Sequence, residues 1–276
     1  MDSGTKRSSD RRDGNDMKNI PIIILNKDRF LVLKNQVEFL QKRNYTNIFI
    51  IDNKSTYSPL LDWYRTCGTD VYFNPTPKTC NGSLHWLTRQ YKVEKFCKLV
   101  TESEFILNDS DVVPINECPQ DFIEHMIELR KEFSAHKVGL GLKIDDIPDV
   151  FYNKQRVLSI EIPYWNQPVP HTAISEVPLY QSPIDTTFAV YRAGSYCAWG
   201  SGQTTQQPDG TVGPCYRTGF PYVARHIPWY YDYNNLPEDE KYYLMNLESG
   251  KGPAWSWEAK NRITNQNLKN TTYDKG

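Results

Sequence analysis

The run Phe105-Ile106-Leu107-Asn108-Asp109-Ser110-Asp111-Val112-Val113-Pro114 carries an apolar segment straight into Asp-Ser-Asp. In extended backbone, residues two apart place their side chains on the same side. Two carboxylates converging there repel each other unless a cation lies between them, and hard oxygen ligands of this kind suit manganese or magnesium. A metal so held neutralises a diphosphate. Acid pairs that merely face solvent sit in polar company, whereas this one follows an apolar run and precedes Val112-Val113.

Such a site needs elements to carry it. Ile20-Pro21-Ile22-Ile23-Ile24-Leu25 is a continuous apolar run, as expected of a strand covered on both faces. Phe30, Leu33, Val37 and Leu40 follow at helical spacing, and Asn47 to Ile51 is the next buried strand. Ser58-Pro59 opens a short helix, with Ser as its N-cap, that Gly68 closes. Val71-Tyr72-Phe73 reads as a strand, Gly82 to Leu99 as a helix and Phe105 to Leu107 as the fourth strand. Strand and helix alternating at this spacing imply a parallel, doubly wound α/β sheet. Ligands of such sheets bind beyond the carboxyl ends of the strands. Asn26, Asp52 and Asp109 all follow strand ends and are expected to share one crevice.

The chain has 276 residues, of which 39% are hydrophobic, and a net charge of -1. That length supports one large α/β domain with ample core. The near-neutral charge argues against a nucleic-acid partner. No apolar run approaches the roughly 20 residues needed to span a bilayer. Residues 1–18 are polar and charged, which predicts a disordered tail rather than a signal peptide or anchor. The scattered cysteines, without a Cys-x-x-Cys pair, fit free thiols and a cytoplasmic setting. Beyond residue 115 come a helix at Gln120 to Phe133, a strand at Lys137 to Leu142, then short strands, many prolines and aromatics, and a helix opening on Pro237-Glu238-Asp239-Glu240 with acids at its positive end. The expected organisation is a single domain over 19–260, with a nucleotide-binding half at 19–114 and an acceptor-binding half at 115–260. A mobile tail is expected at 261–276.

Taken together, five features resemble a GT-A-fold glycosyltransferase and are similar to glycosyltransferase family 2. They are Leu25-Asn26 with Arg29 close behind, Ile51-Asp52-Asn53-Lys54-Ser55, Asn81-Gly82, Asp109-Ser110-Asp111, and Pro183-Ile184-Asp185 before the strand Thr187 to Tyr191. The resemblance implies a Rossmann-like fold with a mostly parallel central sheet flanked by helices and an aromatic-rich C-terminal elaboration. It implies a nucleotide-sugar donor under the carboxyl edge of the sheet, a UDP-sugar first, with GDP- or dTDP-sugars as alternatives, and a glycan acceptor.

Carried over by position, Asp52 matches the acid that reads the base, with Asn53 and Ser55 shaping its turn. Asp111 matches a ligand of the manganese or magnesium ion, and Asp109 contacts metal or ribose. Asn26 and Arg29 open the first helix, whose N-terminus favours anions, so Arg29 can reach phosphate. Asp185 occupies the place of a general base, needed if the reaction inverts the sugar; Asp145 and Asp146 are rivals for it. His226 is a candidate third metal ligand, with Arg225 on the diphosphate. Trp165, Trp199, Trp229 and Tyr230 suit stacking on sugar rings, though large aromatics are most often core. Two other classes compete. Asp109-x-Asp111-x-Val113 also satisfies the signature of haloacid dehalogenase-type phosphatases, in which Asp109 would be the nucleophile, but those enzymes place it on the first strand. A non-catalytic sugar-binding module is the other.

Overall fold

The computed structural model describes residues 18–74, 84, 87–88, 91–166, 168–170, 176–184, 187–194, 205–206, 212–247 and 254–273. The apolar runs become strands β1 (Ile22–Asn26), β2 (Ile48–Asp52), β3 (Asp70–Phe73) and β4 (Phe105–Asp109), and the helices between them include α1 (Leu31–Gln41), α2 (Ser58–Tyr64) and α3 (Glu94–Glu102). Alternate residues of β1 feed opposite cores. Ile22 and Ile24 pack with Leu33, Val37 and Leu40 of α1, whereas Ile23 and Leu25 pack with Phe96, Leu99 and Val100 of α3. Both faces of this half-sheet are therefore covered, which is why its strands are apolar without alternation.

The second half supplies β5 (Val112–Pro114), α4 (Phe122–Glu132), β6 (Lys137–Leu142), α5 (Lys154–Glu161), β7 (Pro168–Val169), β8 (Leu179–Gln181) and β9 (Ala189–Tyr191). A two-stranded ribbon of β10 (Thr205–Gln206) and β11 (Val212–Gly213) precedes β12 (Cys215–His226), and α6 (Glu238–Met245) and α7 (Ala254–Tyr273) close the chain. One ten-stranded sheet runs β3-β2-β1-β4-β9-β6-β12-β8-β7, with β5 paired to β12.

The protein is thus α/β, but its sheet is mixed rather than mostly parallel. The pairs β1–β2, β1–β4, β2–β3 and β6–β12 are parallel, while β4–β9, β6–β9, β5–β12, β8–β12 and β7–β8 are antiparallel. The antiparallel members β5, β7, β8 and β9 are two or three residues long and lie among prolines, too short to show a period in sequence. β9 enters antiparallel between β4 and β6 and joins the two halves into one sheet.

Other expectations change locally. Of the helix expected at Gly82 to Leu99, the described part breaks at Lys92, whose φ is +49°, and α3 starts only at Glu94. Ser58 is the first residue of α2 and not its cap; Tyr57 precedes it, and no side chain caps the helix. The tail expected from 261 meets α7, which runs on to Tyr273 and buries Ala259 and Ile263 against the larger core. Among the described residues no helix is long and apolar enough to cross a membrane.

Candidate active site

Asn26, Asp52 and Asp109 are the last residues of β1, β2 and β4. They stand side by side at the carboxyl edge, Asn26 opposite Asp52 and Leu25 opposite Asp109. Asp52 is fully buried. Its Oδ1 accepts the Ser55 backbone N–H at 2.8 Å, and its Oδ2 accepts the Tyr64 hydroxyl at 2.8 Å. Tyr64 in turn accepts the Asn26 side-chain amide at 3.0 Å. Burial pushes the Asp52 carboxyl upward, and the hydrogen bonds from Ser55 and Tyr64 oppose that shift. Asn53 is buried beside Asn74, whose amide donates to Asn53 Oδ1 at 3.2 Å. Ser55 Oγ accepts the Asp28 N–H at 2.8 Å, which ties this turn to the loop leading into α1.

That loop carries Arg29 to the second cluster. The backbone does not stay extended through Asp-Ser-Asp: Asp109 ends β4, half buried, and Ser110 and Asp111 form the turn into β5. The alternation argument for the acid pair therefore fails at this step, because the second acid is no longer on extended backbone. Asp111 is buried, and its Oδ2 lies 2.7 Å from Arg29 Nη1 and 3.4 Å from His226 Nε2. His226 arrives because β12 pairs with β5, His226 opposite Val112, and the Ile227 N–H donates to the Asp111 carbonyl at 2.8 Å. Burial would raise the Asp111 carboxyl, but Arg29 first and His226 second hold it below the usual carboxylate range. Burial pushes His226 below its ordinary value, and the Asp111 carboxylate opposes that shift.

Arg29 is held on its other side by Glu240, which takes Nε at 2.8 Å and Nη2 at 3.0 Å, and the Tyr243 ring lies 4.1 Å from the guanidinium carbon. Asp239 Oδ2 accepts the N–H groups of Phe30 and Leu31 at 2.9 and 2.7 Å, so it caps α1 from more than two hundred residues away. The N-terminus of α1, expected to attract an anion, already holds one of the protein's own. Tyr64, Asp239, Glu240 and Tyr243 are the members of the site that sequence reasoning missed. Their one signal in the sequence is the acidic run at Glu238 to Glu240, whose local role is to serve its own helix.

Arg225 points away from this cluster, as alternation along β12 requires. It pairs with Asp146, and Tyr230 Oη lies 2.7 Å from both Asp146 Oδ1 and the Lys143 carbonyl. Burial works against ionisation of Asp146, yet hydrogen bonds from Arg225 and Tyr230 hold its carboxyl below the usual range. Asp145 is exposed and meets Lys143 Nζ at 2.5 Å. Asp185, Asn81, Gly82 and Trp199 lie outside the described residues.

No family model matches the chain, and no curated protein is similar to it in sequence. The likeness to glycosyltransferase family 2 therefore rests on its motifs.

The residues present can be tested against a divalent ion. Among the described residues no three His, Cys, Asp or Glu side chains converge as a closed metal site would. Asp111 Oδ2 and His226 Nε2, 3.4 Å apart, are nevertheless close to the roughly 3 Å between neighbouring ligands on one octahedral ion with bonds of about 2.1 Å. Asp111 and Glu240 bring two carboxylates against one guanidinium, an excess of negative charge that favours a cation. An ion here would take one carboxylate and one imidazole from the chain and be completed by phosphate oxygens; the carboxylate and phosphate suit magnesium or manganese, and the imidazole suits a transition metal better than magnesium.

Proposed function

We propose that this chain is a metal-dependent glycosyltransferase of GT-A type, moving a sugar from a nucleotide-sugar, a UDP-sugar first, to a hydroxyl of a glycan acceptor. The observation that carries the reading is Asp111: a buried carboxylate at the carboxyl edge of the parallel half-sheet, faced by an imidazole and a guanidinium. Asp111 and His226 would hold manganese or magnesium. The ion's contribution when bound is neutralisation of the diphosphate. Arg29 fixes the Asp111 carboxylate in its ionised form, and Glu240 and Tyr243 fix Arg29. Asp52 would accept a hydrogen bond from the base, for which the Tyr64 hydroxyl must yield part of its hold on Oδ2. If the reaction inverts the sugar, a base must take the proton of the acceptor hydroxyl; Asp185 is the candidate, with Asp145 as its rival. Asp146 suits that role less, since Arg225 and Tyr230 already stabilise its charge.

Incubation with UDP-, GDP- and dTDP-sugars, with manganese or with a chelator, tests the reading. Slow release of nucleotide from one donor class, dependent on the metal, is expected. No nucleotide release from any donor, together with no thermal shift by UDP, GDP or dTDP, would contradict it.

A further inference from the structure

A cavity of about 290 Å³ opens beyond the carboxyl end of β6 and is walled by Lys143, Asp145, Trp165, Tyr180, Phe220 and Val223. We infer that it binds a single neutral hexopyranose ring, stacked on its aromatic walls with its hydroxyls turned to Asp145 and Lys143. The size decides the first part. Pockets for drug-sized ligands run from roughly 300 to 1,000 Å³, so this one lies at the lower limit and suits one ring rather than an oligosaccharide.

The walls decide the chemistry. Trp165 and Tyr180 meet edge to face, with centroids 5.0 Å apart and planes at 72°, and Phe220 is 62% exposed at the mouth. A pyranose presents C–H bonds on its faces and hydroxyls round its rim. An aromatic wall with polar groups beside it matches both. The backbone is shaped for this wall: a Cβ on Gly141 would come within 2.5 Å of Trp165 Cη2, so only glycine lets the indole lie against β6.

Charge decides the rest. Among the described residues the one cation on the wall, Lys143, is already neutralised by Asp145 at 2.5 Å and approached by Asp146 at 3.6 Å. These described residues leave no uncompensated positive charge there for a phosphate or a uronate. A relay of contacts links the cavity to the strand that carries His226. Tyr230 bridges Lys143 and Asp146, Asp146 holds Arg225, and Arg225 is followed in β12 by His226. Binding of the ring stands by itself; its assignment as the acceptor rests on the transferase reading.

Saturation-transfer NMR with the methyl glycosides of glucose, galactose, mannose and N-acetylglucosamine, run without nucleotide or metal, tests the inference. At least one glycoside should receive saturation, strongest on its ring C–H protons. Phe220→Ala and Trp165→Ala should each weaken it about tenfold, the loss of one stacking wall. Phe220 is exposed, so its removal leaves the fold intact, and an unchanged melting curve would establish that. No saturation of any glycoside, unchanged binding in Phe220→Ala, or tighter binding of methyl glucuronide than of methyl glucoside would overturn the inference. Glycoside binding without nucleotide binding would keep this site and remove the transferase reading. Nucleotide binding without glycoside binding would do the reverse.

Discussion

At the scale of single residues, the site is built from polar groups that restrain one another. Asp52 shows how. Sequence marked it as an acid after a strand, and it is one, but its two oxygens are engaged by Ser55 and Tyr64 in a fully buried setting. Removing a buried acceptor leaves its donors unpaired, which costs about 1–3 kcal/mol. Asp52→Ala is therefore expected to lower stability in urea denaturation by about that amount. The same variant should also bind UDP more weakly. Parental UDP affinity in a destabilised protein would make Asp52 a turn residue alone. Sequence could find Asp52 because its signal is local. Tyr64 escaped because its role depends on the approach of α2 to the edge of β1 and β2, which no spacing within α2 reveals.

At the scale of elements, the long apolar runs and the clear helices were legible in both halves, Phe122–Glu132 and Lys137–Leu142 included, and the short strands of the second half were not. Ile22–Asn26, Ile48–Asp52 and Phe105–Asp109 are strands because uninterrupted apolar runs can be satisfied only between two covered faces. β5, β8 and β9 draw their identity from β12 and β6, so their pairing is a tertiary fact. The start of α1 is the sharpest case. It has no cap of its own, and Asp239 supplies one from α6. Loss of a capping carboxylate costs about 0.5–2 kcal/mol. Asp239→Ala should lose that much stability in denaturant, whereas Glu238→Ala, on the exposed side of the same turn, should lose little. Equal effects of the two would mean that the contact with Phe30 and Leu31 carries no weight.

At the scale of the whole molecule, pH offers a test of the joined sheet. His136 precedes β6, is fully buried, and lies where β9 and β12 meet it. Burial first, then the charges of Lys137, Arg192 and Arg130, push it down to about 4 from an ordinary 6.5. The unfolded chain thus takes up a proton below about pH 6.5 that the folded chain refuses until about pH 4. Stability is full above that window and falls through it, by roughly 3 kcal/mol from this residue. His136→Asn should flatten the melting temperature between pH 6.5 and 4, and an unchanged slope would place the acid sensitivity elsewhere. The central claim is that Asp111 anchors a cation on which a nucleotide diphosphate depends. Titration calorimetry of UDP in the presence of manganese, on the parent and on Asp111→Ala, addresses it most directly. Manganese-dependent binding by the parent and none by Asp111→Ala is the result expected; equal affinity in the two proteins would contradict the account.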